Sequence, residues 1–227
     1  MLKIIGTHPN SLIDYPGNIA YMVFTARCNL DCWYCHNRTA MNGDNFINEY
    51  DVTKDILSRT GFIDGVVISG GEPTLQDASL EPFIRQLKSK GLKVKLDTNG
   101  TRPELVKKYI DIVDYIAMDI KAPQKKYPLI TGIANFDFTS IKTSISLLVN
   151  QTKIPYEFRT TFTPDLDKTD ILEIANLVKG ARQFSLQTYR KIPTEKKYPQ
   201  SAFAPHSAEY IESVFEDCKK ITNTVLR

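Results

Sequence analysis

Cys28, Cys32 and Cys35 form a C-x3-C-x2-C run, Cys-Asn-Leu-Asp-Cys-Trp-Tyr-Cys, directly after an apolar segment, Ile19 to Thr25, that reads as a strand. Three thiolates packed this closely can hold three corners of an iron–sulfur cube and leave one iron without a protein ligand. An open metal position usually does chemistry, whereas a closed site is usually structural. A disulfide framework does not suit a chain with four cysteines and no secretory signal. Zinc is the serious rival, because His36 follows at once and could act as a fourth ligand. Common zinc sites, however, join two separated ligand couples, and the other histidines, His8 and His206, supply no second couple. The spacing therefore favours a cluster, with a zinc-binding interaction module as the alternative.

The rest of the chain bounds what surrounds that run. With 227 residues, 42% of them hydrophobic and 24% charged, the sequence reads as one globular domain able to bury a core without staples. A net charge of +3 is too small to argue for nucleic acid as a partner, and none is expected. Basic residues gather at Lys121 to Lys126 and at Arg190 to Lys197, in segments that also carry prolines, and read as solvated loops. No apolar run has membrane-spanning length and no targeting segment is apparent, so the expected location is the cytoplasm, with no membrane partner.

Strand and helix patterns alternate, which argues for a parallel sheet. The strand candidates are Ile19–Thr25, Gly65–Ser69, Lys93–Thr98, Tyr115–Ile120, Tyr156–Phe162 and Gln183–Gln187. Between them, Leu80, Phe83, Ile84 and Leu87 recur at helical spacing, behind Ser79 as a candidate N-cap and ahead of Gly91. Pro103 suits the first turn of a second helix. Further stripes run through Ile141 to Val149 and Ile171 to Val178, and a last helix from about Ser207 carries Cys218 on its apolar face, where it reads as core. Six β/α units are fewer than a closed barrel needs and suit an open, partial (β/α)6 TIM-like barrel of parallel strands. On this reading residues 1–227 are a single domain, with 1–18 as an amino-terminal extension and 191–227 as a terminal loop and helix.

Parallel α/β sheets place chemistry at the carboxyl ends of their strands. The unusual polar residues fall there. Ser69-Gly70-Gly71-Glu72-Pro73 follows the second strand, where paired glycines allow close approach to a ligand, though alone they describe only a tight turn. Asp97-Thr98-Asn99-Gly100 ends the third, as an ordinary turn or as a source of oxygen ligands. Asp119 and Lys121 end the fourth, separated by one residue and so facing one way. In the fifth, alternation puts Glu157, Arg159 and Thr161 on one face. A mid-strand arginine is costly unless paired, so Arg159 implies either an acidic partner or an anionic ligand. Gln187, Thr188, Tyr189 and Arg190 follow the sixth strand as rim residues.

In this order, these pieces resemble the radical S-adenosylmethionine (SAM) superfamily, in which an aromatic residue precedes the third cysteine, as Tyr34 does here. More narrowly they resemble the activating enzymes of glycyl radical proteins, and most nearly those of anaerobic ribonucleoside-triphosphate reductase. The likeness rests on Ser11 to Gly17, the cysteine loop through Asn37, Ser69 to Thr74, Leu96 to Gly100, Ala117 to Pro123, and Arg159 to Thr161. One departure is Arg27, where such proteins commonly have glycine.

The resemblance implies a 4Fe–4S cluster on Cys28, Cys32 and Cys35, and SAM on the remaining iron. It implies that backbone groups of Gly70, Gly71 and Glu72 meet the methionine amino group and that Tyr34 lies near the adenine. Lys121 and Arg159 would serve the methionine carboxylate or the ribose. Asp97 and Asp119 match positions that help bind a monovalent cation, and Asn99 joins them as a cofactor contact. No catalytic side chain beyond cluster and cofactor is expected. The implied partners are a glycyl radical enzyme and a flavodoxin or ferredoxin electron donor. The runner-up is a radical SAM enzyme acting on a small molecule, for example a deazapurine-forming synthase; Asp14 to Gly17 tilt the reading away from it.

Overall fold

The computed structural model describes residues 1–38, 43–191 and 203–227. Positions 192–197 of the basic stretch expected to be a solvated loop therefore lie outside the described residues. One sheet holds eight strands in sequence order: β1 (Ile4–Ser11), β2 (Ala20–Thr25), β3 (Gly65–Gly70), β4 (Lys93–Thr98), β5 (Tyr115–Asp119), β6 (Tyr156–Phe162), β7 (Phe184–Thr188) and β8 (Thr224–Leu226). From β2 to β8 every pairing is parallel, whereas β1 lies antiparallel on β2. The sheet curls into a partial barrel whose edges are β1 and β8. Pro9 within β1 is tolerated because an edge strand has one side free of ladder bonds, and the register shifts between His8 and Ser11, across it.

The described helices are α1 (Glu49–Ser58), α2 (Asp77–Ser89), α3 (Pro103–Tyr109), α4 (Tyr127–Thr131), α5 (Phe138–Asn150), α6 (Lys168–Leu177) and α7 (Ala208–Lys219). Three elements, α1, α4 and β8, go beyond those expected, and the amino-terminal extension supplies β1. In α1 only Val52, Thr53 and Ile56 are buried, too short a stripe to stand out, although Asn48 caps it by accepting from the Tyr50 N–H. The α2 helix starts at Asp77 and not behind Ser79, because the 3-10 turn Pro73–Gln76 winds straight into it. Cys218 is fully buried on α7, as its stripe suggests.

Strand alternation sorts the side chains. Outward residues such as Val66, Ile68, Val94, Leu96, Ile116 and Phe158 pack under the helices in the main core. The inward face has two layers. Near the amino ends of the strands, Ala20, Met22, Val67, Tyr115 and Ala117 form a separate apolar cluster, plugged by Tyr15, whose ring meets Tyr115 edge-on at 5.9 Å. Towards the carboxyl ends the same face turns polar, through Lys95, Asp97, Asp119, Glu157 and Arg159. Hydrophobic plugging from below and charge above fix where a polar ligand can enter.

Candidate active site

The three cysteines lie in the loop after β2 and line one cavity of about 340 Å3 at the carboxyl end of the sheet. Backbone bonds carry this loop. The Asp31 N–H donates to the Thr131 carbonyl at 2.8 Å, tying it to α4, and Arg38 bonds the Cys32 carbonyl and pairs with Asp31. At its start the Arg27 carbonyl accepts from the Glu72 N–H at 2.8 Å, and the Gly71 N–H donates to Thr25 O at 2.9 Å. Gly71 is required there: a Cβ would stand 1.8 Å from the Arg27 carbonyl oxygen. Arg27 itself has φ 71°, the one non-glycine residue in the left-handed region among those described.

Burial pushes the Cys32 thiol up to about 12 and raises Cys28 as well. The Leu30 N–H donates to Cys28 Sγ at 3.4 Å, and the Asn99 amide approaches the same sulfur at 3.9 Å. His36, the fourth ligand of the zinc alternative, lines the same cavity as the three thiols. Three thiols at this spacing around one cavity fit a cluster with one iron left open.

Tyr34, Gly70, Gly71, Asp97, Asn99, Asp119 and Lys121 line this same cavity, each just after or at the end of its strand. The other two expected residues sit behind the wall. Glu72 is wholly buried, and its carboxylate accepts from Thr74 N and Oγ1 (3.1 and 2.6 Å), Thr98 Oγ1 (2.8 Å) and Asn99 N (2.6 Å). Burial raises its pKa, and these four bonds work against that rise. It thereby staples the glycine loop to the Asp97–Gly100 turn. Since the N–H groups of Gly71 and Glu72 are spent on the β2 end and the cysteine loop, a ligand's ammonium would be met by carbonyl oxygens.

Arg159 lines a neighbouring cavity instead, and its dilemma resolves toward acids. Its Nε donates to Asp119 at 2.7 Å and its Nη1 to Asp97 at 3.0 Å. Lys121 Nζ takes the other Asp119 oxygen at 2.9 Å, and Lys95 Nζ the other Asp97 oxygen at 2.8 Å. Burial opposes charge on both carboxyls, but Arg159 and the lysines outweigh it and hold them below the usual carboxylate range. Glu157 is not Arg159's partner: it bonds Ser185 Oγ and Gln183 Nε2 and pairs with Arg227 at 3.0 Å. Lys95 was not foreseen, although Lys95 and Asp97 two residues apart carry the same signal that singled out Asp119 and Lys121.

A family model for the radical SAM superfamily matches residues 22–187. The chain belongs to that superfamily. Radical SAM enzymes use a 4Fe–4S cluster and SAM, and the donor set here fits both. A candidate glycyl-radical enzyme activating enzyme of Methanocaldococcus jannaschii is 33% identical over 227 residues, covering 90% of this chain and 91% of the relative. Pyruvate formate-lyase-activating enzyme of Staphylococcus epidermidis is 26% identical, with 92% and 88% covered. The radical SAM chain is thus an activating-enzyme homologue. Among solved structures, QueE from Escherichia coli shares the fold at TM-score 0.57 and 14% identity, covering 100% of this chain and 93% of its own. SuiB from Streptococcus suis, bound to its precursor peptide SuiA, does so at TM-score 0.66 and 14% identity, over 91% of this chain and 48% of its own. No helix among the described residues is long and apolar enough to cross a membrane.

Proposed function

We propose that this radical SAM enzyme activates an anaerobic ribonucleoside-triphosphate reductase by removing hydrogen from a glycine of that partner. When bound, the cluster and SAM supply a reductive cleavage that yields methionine and a 5′-deoxyadenosyl radical. The chain's own residues bind and orient. Cys28, Cys32 and Cys35 hold the cluster, with Asn99 polarising the Cys28 sulfur. Lys121, whose charge is secured by Asp119 despite burial, faces the cavity and suits the methionine carboxylate. Carbonyls of the Gly70–Gly71 turn would accept from the amino group of bound SAM, and Tyr34 would serve its adenine. Asp97 and Asp119 would share a monovalent cation only with the lysines and the arginine already on their oxygens.

The observation that carries a macromolecular partner is the loop after β1. Leu12 and Ile13 are 74% and 80% exposed, and Ile13 lines the cavity next to the cofactor site. Two bare aliphatics at the mouth of a reactive cavity suit a docking polypeptide better than a small solute. A flavodoxin or ferredoxin would supply the electron, in a cytoplasm that keeps Cys28, Cys32, Cys35 and Cys218 reduced.

The test is anaerobic reconstitution with iron and sulfide, reduction in the presence of SAM, and assay of 5′-deoxyadenosine, with Cys32→Ala as control. With the reductase added, electron paramagnetic resonance should show a glycyl radical that the variant cannot form. Robust 5′-deoxyadenosine formation without a radical on any glycyl radical protein would sink the partner assignment. A protein that binds zinc and never cleaves SAM would sink the enzyme reading.

A further inference from the structure

A second cavity, of about 550 Å3, adjoins the cofactor cavity and shares Gln187, Thr188 and Arg190 with it. Its volume falls in the range of roughly 300–1,000 Å3 that encloses a drug-sized ligand, comparable to a few residues of peptide. Its charged lining is lopsided: Arg159, Arg190 and Arg227 face one acid, Asp14. Asp14 is occupied, accepting from Ser11 Oγ. The acids that balance two of the arginines stand outside the lining. Arg159 gives Nε and Nη1 to Asp119 and Asp97, which leaves its Nη2 without a hydrogen bond among the described residues. Arg227 gives Nη1 to Glu157, leaving Nε and Nη2 likewise. Arg190 is exposed and makes no hydrogen bond or ion pair among the described residues. A guanidinium carries five N–H donors in a planar fork that matches a carboxylate.

We propose that this cavity is a carboxylate subsite, and that it receives an acidic side chain of the polypeptide segment whose glycine gives up hydrogen. The assignment of the source rests on the function proposed above; the carboxylate chemistry rests on the lining alone. Three guanidiniums in one lining would repel a lysine or arginine side chain and gain little from an apolar one. An aspartate or glutamate would take charge-assisted bonds from Arg159 and Arg227, which are held by buried acids, and from the exposed Arg190. The subsite opens onto the cofactor cavity through Arg190 and Gln187, so an anchored acid fixes where the neighbouring glycine lies. Recognition is thereby separated from reaction: the arginines grip one residue while the radical attacks another.

The test uses the reconstituted full-length enzyme with SAM and nine-residue peptides carrying a central glycine. A glutamate is scanned across the flanking positions and compared with glutamine and lysine at each. Binding is read by fluorescence anisotropy and turnover by 5′-deoxyadenosine and peptide radical. At one or two positions glutamate should bind at least about tenfold more tightly than glutamine, a difference of about 1.4 kcal/mol. Lysine there should bind more weakly than either. The preference should shrink in high salt. Arg190→Gln, at an exposed site where folding is not at stake, should lose most of it while binding the glutamine peptides as before. Peptides that react equally well with glutamate, glutamine or lysine would overturn the subsite and leave the glycyl reading intact. Glutarate that binds in an Arg190-dependent way while no glycine peptide reacts would keep the carboxylate chemistry and overturn the polypeptide as its source. If neither glutarate nor any peptide responds to Arg190→Gln, the proposal is wrong in full.

Discussion

Lys95→Met tests whether the charges under the cofactor cavity act as a unit. Lys95 has no accessible surface, and its Nζ donates to Asp97 Oδ1 at 2.8 Å and to the Asp14 carbonyl at 2.7 Å. The substitution takes a donor from the part-buried Asp14 carbonyl, worth about 0.5–1.5 kcal/mol. It also removes one of two cations from Asp97. Breaking a buried pair outright costs about 3–5 kcal/mol, but Asp97 keeps Arg159 at 3.0 Å, so only part of that applies. Relief from burying an ammonium, whose pKa is lowered chiefly by burial, returns some of the loss. The expected net destabilisation is about 2–3 kcal/mol in urea unfolding at neutral pH. The decisive comparison is the double variant with Asp97→Asn. There the lysine is buried with no anion opposite, so adding Lys95→Met should cost at least about 1 kcal/mol less than it does alone. Strictly additive effects would refute the linkage, and a neutral Lys95→Met would show that Arg159 alone suffices for Asp97.

The same network sets an acid limb. Asp97 and Asp119 have folded pKa values below their unfolded values, so their stabilisation is present above about pH 4 and is lost as pH falls below it. Arg159→Met should flatten that limb and lower stability at neutral pH; an unchanged limb in unfolding measured from pH 7 to pH 3 would count against the assignment. Gly71→Ala places a Cβ 1.8 Å from a backbone oxygen, so it should part the β3 turn from the cysteine loop, costing more than about 2 kcal/mol and most of the iron content after reconstitution. Arg27→Gly relieves a left-handed residue at the loss of an exposed ion pair with Asp44, and the thermal midpoint should rise by the equivalent of about 0.5–1 kcal/mol. A fall would show that the guanidinium is worth more than the strain.

Most of the architecture is legible in the sequence because strand alternation and strand ends carry it. The rule that polar residues cluster after parallel strands is enough to bring the glycine turn, Asp97, Asn99, Asp119 and Lys121 to the cysteine cavity. Partnership is where sequence runs out. Arg159 required an acid, and Glu157 was the near candidate on its own strand. Register instead sets Arg159 directly beside Asp119, one strand over, while Glu157 finds Arg227. Neither pairing is a local property, since both depend on how strands align across the sheet. Glu72 is similar: its turn was expected to offer backbone atoms to a ligand, but its side chain faces inward as a staple, which no spacing along the chain reveals. The α1 helix was missed for a plainer reason, since a two-turn helix against an edge needs few apolar residues.

The strict sequence order of the sheet has a consequence for how the protein is made. Each strand pairs with the one synthesised before it, so the barrel can be laid down progressively as the chain leaves the ribosome, without waiting for distant segments. One debt stays open during that growth. The Glu157 carboxylate is closed into β6 early, yet its cation, Arg227, emerges 70 residues later with the strand that follows α7. Until β8 docks, the nascent barrel carries a buried acid with only Ser185 and Gln183 to bond it. The stability of the sixth strand is therefore coupled to the docking of β8, the strand that carries the cation for its buried acid.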